Sequence, residues 1–234
     1  MPDTNDRRRR EKEARRESIL EAARSVLESR GYRQLTMDHV AQAAALSKGT
    51  LYLYFESKEE LCAALAARNA GALLPHFDAA LATARTGLAQ VGALMMAWSE
   101  HFVSQPAQFR FMLDWMRAEA PPKGDGPNFR AYRARVNESV AKLTGAIEAG
   151  KADGSIRDDL PTYAQALQLW LSSLGIALAR LQEEPLQRRL EHPLHADGLF
   201  PLHLHTTLRA LATDPAEGRA TAAALLTGHP AAAE

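Results

Sequence analysis

The sequence predicts an all-α fold. Apolar residues recur at helical spacing through most of its 234 residues, and no stretch alternates apolar with polar as a half-buried strand does. A proline, a glycine or a capping hydroxyl punctuates the periodic segments. With 46% hydrophobic residues, a chain of this length can bury a sizeable core as one large or two small domains.

Residues 1–12 read as a basic arm. Arg7, Arg8, Arg9, Arg10, Lys12, Arg15 and Arg16 crowd the opening, and Glu11 and Glu13 only partly offset them. Such a run is either a solvated face or an extension that tracks phosphates or enters a minor groove, adding affinity and salt dependence rather than sequence choice. Ile19, Ala23, Val26 and Leu27 then mark a supporting helix over residues 13–30, with Gly31 as its C-cap.

Residues 36–60 read as two short helices joined by a tight turn and followed at once by a third. Thr36 caps the first, on which Met37, Val40, Ala41 and Ala44 share a face. Ser47 caps the second, whose opening residues Lys48, Gly49, Thr50 and Tyr52 stand where a recognition helix contacts bases in the major groove. Ser57 and Glu60 form a capping box that opens the third helix and satisfies two backbone donors reciprocally. Leu51 and Phe55, four apart, are the buried anchors, while the Tyr52 and Tyr54 hydroxyls can reach phosphate or base. Lys58 sits in a helical first turn, where backbone amides and the helix dipole already attract phosphate.

The stretch VAQAAALSKGTLYLYFESKEEL resembles the DNA-binding signature of the tetracycline-repressor (TetR) family of bacterial regulators. It agrees at Val40, Ala41, Ser47, Gly49, Thr50, Leu51, Tyr52, Tyr54, Phe55, Lys58, Glu59 and Leu61. Ala45 stands at the turn where the family usually has glycine, and a left-handed residue there costs alanine about 1 kcal/mol. The resemblance implies a homodimeric helix-turn-helix regulator that binds a palindromic DNA operator and is released from it by an inducer held in a helical second domain. With the caps included, the DNA-facing set is Thr36, Ser47, Lys48, Gly49, Thr50, Tyr52, Tyr54 and Lys58.

The remainder is read as helical throughout. One helix runs from Ser57 through Leu73, with Pro75 kinking or restarting it, and ends near Gly87. Leu88, Val91, Met95, Trp98 and Phe102 stripe the next, and Pro106 opens another that carries Phe109, Met112, Leu113 and Met116, with Phe111 and Trp115 on a second apolar face. Residues 120–127 form a loop before a long helix from Phe129 to Ile147 that Gly150 closes, and Asp153 and Gly154 turn the chain. A further helix from Thr162 is striped by Tyr163, Leu167, Trp170, Leu171, Leu174, Leu178 and Leu181. A connection over residues 183–198 leads to a last helix over residues 199–212, and the alanine-rich tail that follows is expected to fray.

These assignments divide the chain into an arm (1–12), a helix-turn-helix domain (13–60), a helical ligand-binding and dimerisation domain (61–214) and a tail (215–234). Trp98, Phe102, Phe109, Met112, Met116, Phe129, Tyr132 and Trp170 are either ordinary helical core or the wall of an apolar cavity between helices. In the second case the effector is a small apolar molecule. Ser172, Gly175 and Ala179 form a small-residue stripe suited to close approach by a partner helix, and the family's dimers pair their last two long helices as a four-helix bundle.

Several classes recede. Lys plus Arg and Asp plus Glu number 28 each, so there is no broad basic surface of the kind a sequence-independent, architectural DNA binder needs. No P-loop, nucleophile elbow or zinc-protease motif marks a helical enzyme. His203 and His205 are two apart and so diverge on a helix, and His192 and His195 lie in a connection, so neither a metal site nor a cofactor is expected. The lone Cys62 reads as a small buried hydrophobe rather than a redox sensor, and with no signal core or membrane-length apolar run a cytoplasmic location is expected.

Overall fold

The computed structural model describes residues 4–117 and 126–227. Helices account for the regular structure there: α1 (Thr4–Arg30), α2 (Met37–Ala43), α3 (Lys48–Tyr52), α4 (Lys58–Thr83), α5 (Gly87–Ser104), α6 (Pro106–Met116), α7 (Pro127–Asp153), α8 (Thr162–Leu181), α9 (Glu183–Gln187), α10 (Ala196–Leu211) and α11 (Pro215–Thr227). The sole β feature among the described residues is an isolated antiparallel bridge between Ile156 and Ala212. No described helix is long and apolar enough to cross a membrane.

The chain divides into two compact units. One comprises residues up to Gly71 together with Ala107–Arg135; the other comprises Ala72–Pro106 together with Val136 onward. This differs from the expected boundary at residue 60, because α6 and the opening of α7 fall in the unit that holds the helix-turn-helix. The core of the first unit contains Ile19, Leu20, Val40, Leu51, Phe55, Leu61 and Leu65, and Phe111 and Trp115 of α6 belong to it. The helical stripe in α6 shows that a face is buried but not which core receives it.

The second unit is built on α5, whose Leu88, Val91, Leu94, Met95 and Trp98 meet Ile147, Ile156, Leu169, Leu204 and Leu208. The helix begins where Thr86 accepts a hydrogen bond from Ala89 N. The Asp153 carboxylate accepts from Gly87 N at 2.8 Å, and Ser155 Oγ accepts from Leu88 N at 3.1 Å, so the turn after α7 caps α5.

Several expected boundaries are revised. The arm is not a separate segment: α1 starts at Thr4, because arginine, glutamate and alanine favour helix and the Asp6–Arg9 and Arg7–Glu11 pairs fall at i, i+3 and i, i+4. Pro75 lies inside α4, where buried Leu73, Leu74 and Phe77 carry the helix past it, and α4 stops at Thr83. Gly150 does not close α7, which continues to Asp153.

The connection 183–198 contains α9, and α10 starts at Ala196, whose N–H donates to the Glu183 carboxylate, leaving Pro201 internal. The tail begins with an ordered helix. Asp214 accepts from Ala216 N, and α11 packs through Gly218 and Ala222; a methyl group on Gly218 would fall 2.5 Å from Leu208 O. Close approach at Gly218 brings α11 onto the core, where Leu225 and Leu226 also pack. Residues 120–125 of the expected loop and 228–234 of the tail lie outside the described residues.

Candidate nucleic-acid interface

The two short helices form as their caps predict. Thr36 Oγ1 accepts from His39 N at 3.2 Å, and Ser47 Oγ accepts from Thr50 N at 3.1 Å. Between them Ala45 adopts φ 52°, the left-handed conformation at the turn where glycine would be unstrained. The turn is closed by Leu46 N donating to Ala41 O at 2.9 Å. Leu51 of α3 and Phe55, three residues beyond its end, are the fully buried anchors that were expected.

The opposite side of the motif is open. Thr36, Ser47, Lys48, Gly49 and Tyr52 are exposed, and Thr50 and Tyr54 are half-buried. Four of these predicted DNA-facing residues, Ser47, Lys48, Gly49 and Tyr52, are thus brought together on or at the start of one short helix. Leu53, which the sequence reading passed over, is 80% exposed directly beside Tyr52.

Two charged or polar groups flanking this face, Asp38 and His39, were also missed. Asp38 of α2 lies 2.8 Å from the Lys48 ammonium, and this hydrogen-bonded carboxylate raises the lysine's pKa, keeping it charged. His39 donates from Nδ1 to Gln34 O and accepts at Nε2 from Arg30, so its two ring nitrogens are assigned opposite roles. An acid or imidazole ten or nine residues from its partner carries no periodic signal.

Lys58 is less free than expected. Its ammonium donates to Tyr32 O at 3.1 Å and lies 4.6 Å from the centre of the Tyr32 ring, so it also staples the loop before α2 to the first turn of α4. Burial pushes the Tyr32 hydroxyl up from its usual range. The capping box is half-formed: Ser57 Oγ accepts from Glu60 N at 3.2 Å, but the Glu60 carboxylate turns to α7. Cys62, fully buried beside these groups, has its thiol pushed up to about 12 by desolvation, which fits an inert core residue.

The basic residues of α1 separate into two groups. Arg8, Arg10, Lys12 and Arg15 are exposed. Arg16 instead donates to Asn128 Oδ1 at 2.7 Å and stacks over Phe55, which makes it part of the packing.

The predicted effector-binding residues fall in separate places. Met112, Phe129 and Tyr132 pack on the core of the first unit, with Trp115 edge-on to Tyr132 at 5.0 Å and to Phe129 at 6.3 Å. Phe109 is buried, whereas Met116, the last residue of α6, is 51% exposed and does not line an interior. Trp98 and Phe102 lie in the second unit with ring centres 4.3 Å apart, and Trp170 is half-buried on α8.

On α8 the buried side is Ala166, Leu169 and Ser173 rather than the large-residue stripe. Tyr163 is 63% and Leu171 55% exposed, Gly175 faces open space, and Ser172 and Ala179 are half-buried. Three or more clustered metal-ligating side chains do not occur among the described residues.

Comparison with known proteins matches residues 19–65 to the model of bacterial regulatory proteins of the tetR family. Over 147 residues the chain is 29% identical to the HTH-type transcriptional repressor KstR2 of Mycolicibacterium smegmatis, covering 63% of this chain and 70% of that protein. The fold is similar to that of the ketosteroid transcriptional regulator KstR2 of Mycobacterium tuberculosis, with a TM-score of 0.60 and 22% identity over 86% of this chain and 96% of that one. It is also similar to the transcriptional regulator FadR of Bacillus subtilis, solved in complex with stearoyl-CoA, with a TM-score of 0.63 and 15% identity over 80% of this chain and 96% of that one.

Proposed function

Because its helix-turn-helix places this chain in the tetR family of bacterial regulatory proteins, we propose that it is a sequence-specific transcriptional repressor that leaves its operator when a small molecule binds. The observation that carries this is the capped helix α3, anchored inward by Leu51 and Phe55 and presenting Lys48, Gly49 and Tyr52 outward. Its surface suits base edges and phosphates, while the neutral overall charge suits a local rather than a general DNA contact.

One reader of this size covers too little DNA for tight specific binding, so two act together about 34–36 Å apart to enter successive major grooves. The open face of α8, with Tyr163, Leu171 and Gly175, supports pairing with a second copy. Burying those side chains would remove apolar surface from water, and Gly175 would let the partner helix approach closely.

The effector is a small molecule with a large apolar part. Phe129, Tyr132, Met112 and Trp115 supply aromatic and pliable walls in one unit, and Trp98 and Phe102 in the other. The lipid-tailed ligand of B. subtilis FadR supports this class, and it adds a phosphorylated head to the apolar molecule that the side chains alone suggest.

Selection from a random pool of duplexes tests the reading. The chain should enrich a palindrome whose half-sites are about one DNA turn apart, and stearoyl-CoA or a comparable lipid should quench tryptophan fluorescence and release the duplex. Failure to enrich any sequence would sink the assignment as a repressor; enrichment without release by lipids would leave the reader standing and remove the effector class.

A further inference from the structure

The Glu60 carboxylate is in an unexpected place. A capping box would return it to the backbone of Ser57, but it accepts from Asn128 N at 3.3 Å and from Asn128 Nδ2 at 2.8 Å, at the opening of α7. Asn128 Oδ1 in turn accepts from Arg16 Nη2 at 2.7 Å, so one amide side chain joins α1, α4 and α7. The chain entering α7 is pressed against the carboxylate: a methyl group on Gly126 would fall 1.6 Å from Glu60 Oε1.

We propose that Glu60 and Asn128 form a latch coupling the opening of α7 to the DNA reader, with Asn128 a positioning residue for operator binding; this rests on the repressor function proposed above. Glu60 is in the first turn of α4, two residues from Lys58 and five from the buried anchor Phe55. Hydrogen bonds to a carboxylate are roughly twice as strong as neutral ones, so a shift of the first turn of α7 must either drag Glu60 with it or give up both bonds.

The first two turns of α7 carry Phe129 and Tyr132, which flank Trp115 in the aromatic cluster. A molecule that displaces those rings acts on Asn128 directly. A second tie runs alongside: the Phe111 ring of α6 lies 6.1 Å from that of Tyr32, whose carbonyl and ring hold Lys58. Both attachments end in the first turn of α4, next to the reader. Linkage makes the coupling reciprocal, so binding of DNA at the reader must be felt at residues 126–133.

The test uses the full chain and the duplex it selects, with amide hydrogen exchange and operator affinity as readouts. In the wild type, operator should slow exchange at residues 126–133. Asn128→Ala and Glu60→Ala should each abolish that response and weaken operator binding about fivefold, and the double variant should be no weaker than either single one. Glu60→Gln keeps an acceptor oxygen and should retain the response, which separates the latch from a general loss of folding. The proposal is overturned if Asn128→Ala keeps both affinity and exchange response, or if the two alanine effects simply multiply. A wild-type chain that selects no duplex would instead overturn the repressor reading, and this proposal with it.

Discussion

The Lys48 ammonium lies 2.8 Å from the Asp38 carboxylate, joining the first helix of the reader to the second across its exposed face. Both side chains are largely in water, so the pair adds little to stability, yet it sets a negative charge beside the groups proposed to meet phosphate. Asp38→Asn should therefore leave the melting temperature unchanged and tighten operator binding a few-fold at low salt. Replacing Lys48, Thr50 or Tyr52 with alanine should weaken it about tenfold without loss of helix. Fluorescence anisotropy across a salt series measures both, and unchanged affinity in all four variants would remove this face from the interface.

Ala45 holds φ 52° where an L side chain is strained. Ala45→Gly relieves that strain, although the freer unfolded chain takes back part of the gain, so the net stabilisation should be about 0.5–1 kcal/mol. Urea unfolding should show a higher midpoint with an unchanged slope; a lower midpoint would mean that the turn is not strained.

Gly87 and Gly150 bring α5 and α7 into backbone contact, since a methyl group on Gly87 would fall 1.9 Å from Gly150 N. Backbone cannot step aside as a side-chain tip can. Gly87→Ala should cost about 3 kcal/mol or more and also disturb the Asp153 bond to Gly87 N. Thermal denaturation followed by circular dichroism would reveal it, and a shift of only a degree or two would contradict the close approach.

Gly175 faces open space on α8, so a large side chain there does not disturb the single chain. Gly175→Trp should keep its helical content and sediment as a monomer at micromolar concentration, with operator affinity reduced. A dimer that survives the change would move the interface to another face.

His101 is buried against Phe102 and lies 5.8 Å from His76. Burial, and then the neighbouring imidazole, lower its pKa below the usual 6.5. The folded state therefore holds it neutral, while the unfolded chain takes up a proton as pH falls below 6.5, so its contribution to stability is present above that pH and lost as pH falls towards the lowered value. His203, also lowered by burial, acts in the same direction. Stability measured between pH 7 and 5 should fall less steeply in His101→Gln than in the wild type; equal slopes would show that His101 is not responsible.

The sequence by itself determined the reader, because its determinants are local. Thr36 and Ser47 cap amides three residues on, Leu51 and Phe55 share a face by helical period, and Ala45 marks the turn. The same local rules marked Gly31 as a C-cap, Gly154 as a turn residue and Thr162 as the opening of α8, and both glycines are left-handed in the structure.

Only the tertiary structure decided what each buried face meets. It assigned α6 to the core around the reader, turned the Glu60 carboxylate from its own helix to Asn128, and set Gly87 against Gly150. It also left Tyr163 and Leu171 on the outside of α8 while seating α11 on the core through Gly218, Ala222, Leu225 and Leu226. The physical reason is that a helix records in its own sequence how its backbone is satisfied and which side is apolar. Its partner is chosen by packing among segments far apart in the chain, which no local period encodes.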